Sequence, residues 1–187
     1  GKGIDMNGHD QWVEVYRDKA LEIEGDQLTL ALWVYPRALS SSAGTLITKG
    51  NNQFGLHQTG KDYLEFYITT RNRQTVRMPL PENWENNWHF VAANYDGKTI
   101  YITIDGKKGP ETALSGNITN TPFPVNIGRN AEIHGQETDV YICDAIIDNA
   151  CIFAKNIEPG LLKTPSPELK KEAALWLDFE EMNTDGD

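Results

Sequence analysis

Three sets of residues in this sequence have the types and spacing to do chemistry. The first is acidic. Retaining hydrolysis of a glycosidic bond needs two carboxylates about 5 Å apart. On a strand, where alternate side chains share a face, that means acids at i and i+2 or i+4. Glu137-Thr138-Asp139 is the nearest approach, and it has the look of a loop edge; Asp178, Glu180 and Glu181 read as a solvated charge run. The second set is aromatic and basic. A pyranose ring stacks its C–H face on an aromatic ring and is oriented by planar polar groups. Trp84 stands in the polar stretch Pro81-Glu82-Asn83-Trp84-Glu85-Asn86-Asn87, and Tyr67, Arg71 and Arg73 flank another polar loop tip. These four are the candidate carbohydrate-binding residues, with a solvated tip as the plain alternative for the arginines. The third set is oxygen-rich. Asp5, Asn7 and Asp10 lie near the first strand and Asp178 on the last. A calcium ion takes six to eight oxygens. Asp5, Asn7 and Asp178 are the candidate metal ligands, and ordinary turn acids are the alternative.

Other reactive residues are less suggestive. His9, His57, His89 and His134 fit no metal spacing, and His89 sits where a hydrogen-bonded sheet histidine is expected. There is no nucleophile elbow, phosphate loop or Cys-x-x-Cys. Cys143 and Cys151 are too few for a disulfide framework. A single bridge or two buried thiols are both open.

The elements that must position these residues are strands. The stretch Trp88 to Lys107 is the strongest signal: His89, Val91, Ala93 and Tyr95 alternate with Phe90, Ala92 and Asn94, and Ile100, Ile102 and Ile104 alternate with Tyr101 and Thr103. Asp96-Gly97 and Asp105-Gly106 supply the turns. Leu28 to Tyr35 alternates Leu28, Leu30, Leu32 and Val34 against Thr29, Ala31, Trp33 and Tyr35, and Pro36 ends it. Further strands are expected over 11–16, 45–49, 53–58, 63–69, 74–80, 123–128, 145–153 and 173–179. Ser166-Pro167-Glu168 has a cap, a first-turn proline and an acid, so one or two helical turns are expected through about Glu172. Trp33, Trp88 and Trp176 lie within strand motifs and are expected in the core or half in it.

Composition sets the outer limits. The chain has 187 residues, enough for one domain with a real core. A formal net charge of −10 argues against nucleic acid and anionic membrane as partners. No apolar run approaches the ~20 residues of a membrane helix. The chain opens Gly1-Lys2-Gly3 without a Met and closes on a loop-like Asn183-Thr184-Asp185-Gly186-Asp187. Both ends read as cuts from a longer polypeptide, so residues 1–187 are expected to be one excised domain, monomeric in isolation. Its terminal strands are expected to pair side by side.

An ordered set of segments resembles the laminin-G-like jelly rolls of the concanavalin A superfamily. They are Gly3-Ile4-Asp5-Met6-Asn7-Gly8, Trp12-Val13-Glu14-Val15, Leu28 through Pro36, Trp88-His89-Phe90-Val91-Ala92, Tyr95-Asp96-Gly97, Ile104-Asp105-Gly106-Lys107, Val125-Asn126-Ile127-Gly128 and Ile147 through Phe153. The resemblance implies an all-β fold: an antiparallel two-sheet jelly-roll sandwich, concanavalin A-like, with at most one short helix near 166–172. It does not fix a function, because this fold hosts lectins, hydrolases and adhesion modules. Enzymes of the fold carry Glu-x-Asp-x-x-Glu, and here Ile142 stands where the second Glu belongs, so catalysis is not expected. Similar jelly rolls often hold one structural calcium ion where the terminal strands meet. The ending Leu175-Trp176-Leu177-Asp178-Phe179-Glu180-Glu181 resembles the point where such a domain rejoins a β-galactosidase-like glycoside hydrolase of gut Bacteroidetes. The implied role is a non-catalytic carbohydrate-binding module of such an enzyme, secreted or periplasmic or at the cell surface. The alternative is a structural or interaction domain that packs on the parent's catalytic domain and binds no sugar. A row of solvent-facing aromatics on one sheet would favour the first.

Overall fold

The structure is a computed structural model that describes residues 2–37, 44–130, 132 and 142–180. Its strands are β1 (Ile4–Asn7), β2 (Val13–Val15), β3 (Leu28–Pro36), β4 (Thr45–Lys49), β5 (Phe54–Thr59), β6 (Tyr63–Thr69), β7 (Arg73–Pro79), β8 (His89–Tyr95), β9 (Thr99–Ile104), β10 (Lys107–Ala113), β11 (Val125–Ile127), β12 (Asp144–Phe153) and β13 (Leu175–Leu177). Two short helices, α1 (Pro159–Lys163) and α2 (Pro167–Lys171), precede β13.

The strands form two antiparallel sheets. The seven-stranded sheet runs β1-β12-β3-β8-β9-β10, with β13 also on β12, and the six-stranded sheet runs β2-β11-β4-β5-β6-β7. This is the expected all-β jelly-roll sandwich. The alternation in the sequence decides which side of each strand faces inward. Leu28, Leu30, Leu32 and Val34 of β3, Val91, Ala93 and Tyr95 of β8, and Ile100, Ile102 and Ile104 of β9 meet Phe54, Leu56, Leu64, Phe66 and Ile68 of the other sheet in one core. Fully burying side chains of this size stabilises by about 1.5–3 kcal/mol each.

Asp105 and Gly106, both at positive φ (51° and 87°), make the tight turn between β9 and β10. That turn therefore opens a hairpin whose second strand, β10, the sequence pattern does not signal. His89 is a satisfied sheet histidine. It is buried, with Nδ1 2.6 Å from Asp105 Oδ2 and Nε2 3.1 Å from the Asn83 carbonyl.

Two expectations need correction, and the open question of the cysteines is settled. Among the described residues there are two short α-helices where at most one short helix was expected. α2 is capped by the Ser166 hydroxyl, as its sequence implies. α1 begins at Pro159 and exists because Leu162 buries itself on the sheet, not because five residues carry a helical period. The terminal strands do not pair with each other. β1 follows residues 144–147 of β12 and β13 follows 150–152, so they lie end to end along one edge. The two cysteines are free: Cys143 faces the core between the sheets and Cys151 the opposite face. Burial pushes both thiols up to about 12.

Candidate functional site

The outer face of the seven-stranded sheet is divided. At one end, Ala31, Ala92, Phe90, Cys151 and Phe153 form a second apolar cluster, over which Leu162 of α1 and Leu169 of α2 pack. Small residues there let the helices approach closely. At the other end no helix of the described residues covers the sheet. Register places Asp5, Ile146 and Tyr35 in one row, with Trp88 beside Tyr35, and Asp148, Trp33 and Phe90 in the next. Two ring pairs make up a shelf, in which the Phe90 ring is itself buried. Trp33 and Phe90 are 5.3 Å apart and tilted, and Tyr35 and Trp88 are 5.7 Å apart and tilted by 59°. Trp88 is 44% exposed. Trp33 and Tyr35 are half-buried.

Polar groups flank the shelf. Asp148 lies directly opposite Trp33, half-buried, and burial pushes its carboxyl above the usual range. Lys163 reaches to 5.8 Å from the Phe90 ring. An exposed aromatic ledge with a carboxyl and an ammonium beside it can hold an apolar ring face and bond its polar rim.

Trp84, expected as an exposed platform, is buried at 3% exposure. Its ring stacks on His89 at 4.8 Å and its Nε1 donates to Gln58 Oε1 at 3.0 Å. It plugs the end of the sandwich between the sheets. Its loop is nevertheless well placed. Asn86 N donates to the Pro36 carbonyl, which fixes the chain just before Trp88. On the other side, Trp84 floors a cleft of about 470 Å³ with Lys61, Asp62, Tyr63, Glu82 and Glu85 around it, and Tyr63 is 40% exposed there.

Tyr67 and Arg73 are brought together, but not as an open platform. The Tyr67 ring is buried, its hydroxyl donates to the Gly50 carbonyl at 2.7 Å, and the Arg73 guanidinium lies 3.8 Å over it. Burial pushes the Tyr67 phenol far up. The same outer face of the six-stranded sheet carries Glu65, with His57 at 3.4 Å and Arg77 at 2.7 Å. Its carboxyl is held down to about 2, first by the His57 hydrogen bond and then by Arg77, against the opposing effect of burial. Arg71 stands apart at the opposite end of the molecule from Trp84.

The candidate calcium ligands do not gather. The Asp5 carboxylate is held by the Arg37 guanidinium, which also binds Asp144 and the Met6 carbonyl. Asn7 Oδ1 accepts the amides of His9 and Asp10, its Nδ2 donates to Asp10, and Asp178 accepts the Glu180 amide. Among the described residues no group of three or more His, Cys, Asp or Glu could hold a metal ion. Glu137, Asp139, Glu181 and His134 lie outside the described residues.

Trp33 and Trp176 are half-buried, as expected, but the exposure of Trp88 and Tyr63 and the half-exposed Tyr35 were not anticipated. A signal was present: on β3 the Leu/Val register takes the core, which leaves the Trp/Tyr register for the other face.

A family model described as the concanavalin A-like lectin/glucanases superfamily matches residues 7–158. The chain belongs to that superfamily. Among solved structures, this member is similar to a candidate carbohydrate-binding protein from Bacteroides ovatus, at 18% identity and TM-score 0.69 over 89% of this chain and 48% of that one. It is also similar to domains LG4-5 of the mouse laminin α1 chain, at 15% identity and TM-score 0.56 over 85% and 42%. A third likeness is the heptameric SAP-like pentraxin of Limulus polyphemus, at 13% identity and TM-score 0.61 over 86% and 79%. No curated protein matches the sequence. The chain spans about half the length of the Bacteroides and laminin chains. At these identities the likeness is one of fold.

Proposed function

We propose that this domain is a non-catalytic carbohydrate-binding module that holds sugar on the Trp33–Tyr35–Trp88 shelf. The observation that carries it is Trp88: a tryptophan 44% exposed on a sheet face and tilted against Tyr35, with Trp33 two residues along β3 on the same face. An isolated exposed apolar residue needs no explanation, but a row of aromatics flanked by a carboxyl does. Membership of a lectin and glucanase superfamily supports the same reading, as does the likeness to a candidate carbohydrate-binding protein. The finer assignment is an accessory module of a secreted β-galactosidase-like glycoside hydrolase. It rests on the terminal Leu175-Trp176-Leu177-Asp178-Phe179 segment. The absence of a Glu-x-Asp-x-x-Glu pattern in the sequence favours a binding role over a catalytic one.

The test is a calorimetric titration with a panel of neutral oligosaccharides. The intact domain binds at least one of them, and Trp88→Ala weakens that binding about 5- to 30-fold, the equivalent of one stacked aromatic worth roughly 1–2 kcal/mol. Binding that survives Trp88→Ala unchanged rejects the shelf. A second reading is docking on a sister domain without sugar, for which Leu161, 58% exposed on α1, is the residue to test. A domain that binds no glycan, yet whose association with its parent enzyme is lost in Leu161→Glu, establishes that reading instead.

A further inference from the structure

At the end of the molecule opposite Trp84, a cleft of about 660 Å³ opens between three segments that are distant in sequence. Thr70, Arg71 and Asn72 form one wall, Lys98 a second, and Leu114 and Ser115 a third. The walls are fastened to one another. Thr119 donates its amide to the Thr69 carbonyl and its hydroxyl to that of Thr70, Leu114 N donates to the Lys98 carbonyl, and Tyr95 Oη donates to the Gly116 carbonyl at 2.6 Å. The cleft is preformed, so a ligand meets little ordering cost there.

Its charge is unlike that of the rest of the protein. The chain carries 27 acids against 17 bases. Every other arginine faces a carboxylate: Arg17 with Glu22, Arg37 with Asp5 and Asp144, Arg73 and Arg77 with Glu65, and Arg129 with Glu14. Arg71 faces none among the described residues, and neither does Lys98. No carboxylate lines the cleft. Asp26 packs on the Gly97 turn, its carboxylate 3.4 Å from where a Cβ on Gly97 would stand, and Asp96 Oδ1 is occupied by the amides of Lys98 and Thr99. No aromatic lines it either. Recognition there rests on charge and hydrogen bonds, with a guanidinium fork that matches a planar or tetrahedral oxyanion.

We infer that the Arg71–Lys98 cleft binds an anionic group on a saccharide, a uronate carboxylate or a sulfate ester, at a second site separate from the aromatic shelf. The saccharide part of this inference rests on the function proposed above. Gly97 and Trp88 stand at opposite ends of β8, so the two sites are about 30 Å apart at ~3.4 Å per residue. A polymer carrying both neutral and acidic sugars can engage both at once.

The experiment titrates the whole domain calorimetrically with an oligogalacturonide, a sulfated galactan oligosaccharide and a neutral galactan oligosaccharide of equal length, at low and high salt. At least one acidic ligand binds, more weakly at high salt. Arg71→Ala weakens it about 10- to 100-fold, while Lys98→Ala lowers it less. Neutral binding is unaffected by Arg71→Ala and weakened by Trp88→Ala. Preference between the two acidic ligands identifies the anion. The inference is overturned if Arg71→Ala binds the acidic ligands as the wild type does, or if only the neutral ligand binds; in the latter case the shelf stands alone. Acidic binding that depends on Arg71, with no neutral binding and no effect of Trp88→Ala, upholds the cleft and removes the shelf.

Discussion

Glu65→Gln is the substitution whose effect can be worked out most fully. The Glu65 side chain is 9% exposed on the outer face of the six-stranded sheet, between His57 and Arg77. Its carboxyl titrates at about 2 against an ordinary 4.5, chiefly through the His57 hydrogen bond. At about 1.4 kcal/mol for each tenfold, that difference corresponds to roughly 3 kcal/mol. Arg77 is 58% exposed, so part of its attraction is screened by water. A figure of about 2 kcal/mol is therefore expected at neutral pH. Because the folded value lies below the unfolded one, this stability is fully present above pH 4.5 and disappears as the pH falls toward 2. Glutamine keeps the shape and removes the charge. Urea unfolding at pH 7 should show Glu65→Gln less stable by about 2 kcal/mol, with a melting temperature lower by roughly 4–8 °C for a domain of this size. The gap should close as both proteins are taken to pH 2.5. A gap that stays constant from pH 7 to pH 2.5, or one below about 0.5 kcal/mol at pH 7, refutes the account, because the charge would then not be what holds these side chains.

Trp84→Ala should cost about 3–5 kcal/mol in chemical denaturation, since it removes a core indole and orphans Gln58; a loss under 1 kcal/mol would mean the ring is not a plug. Gly55→Ala should cost about 1–3 kcal/mol. An added Cβ would stand 2.4 Å from the Tyr67 ring, which cannot retreat while its hydroxyl holds the Gly50 carbonyl. Tyr67→Ala in the same chain should relieve that clash, and a double-mutant cycle that is additive would contradict it. Native protein should resist alkylation at both cysteines at pH 8, with thiols near pKa 12, and react at both once unfolded in urea; labelling of the native state by mass spectrometry would show that one is reachable.

The fold was legible because its buried strands declare themselves. The isoleucines of β9 and the leucines of β3 alternate cleanly, and the structure buries those rows. What escaped was structure without that pattern. The strand β10, Lys107 to Ala113, is nearly all exposed and lies at a sheet edge, so no apolar row marks it. Its charges and a register shift between Lys108 and Glu111 suit an edge that must not pair further. The site was legible only in outline. Trp84 and Trp88 stand four residues apart in similar polar surroundings, yet one faces inward and the other outward. Alternation with Val91, Ala93 and Tyr95 sets Trp88 outward, but no local pattern sets Trp84 inward; that depends on where the end of the sandwich needs a plug. The Arg71 cleft is built from segments near residues 70, 98 and 115, a convergence no spacing rule can show.

The end-to-end arrangement of β1 and β13 has a mechanical consequence. Both run antiparallel to β12, and the start of one meets the end of the other, with Lys2 N donating to Glu180 Oε1. Tension applied at residues 2 and 180 therefore enters the sheet at a single point. It peels the two strands away from β12 in opposite directions, one ladder bond at a time, as a zipper opens from its middle. Strands pulled along their length would share the load; these cannot. The core sheets carry no part of the force until both short strands are gone, so a stretched chain gives way first at this seam.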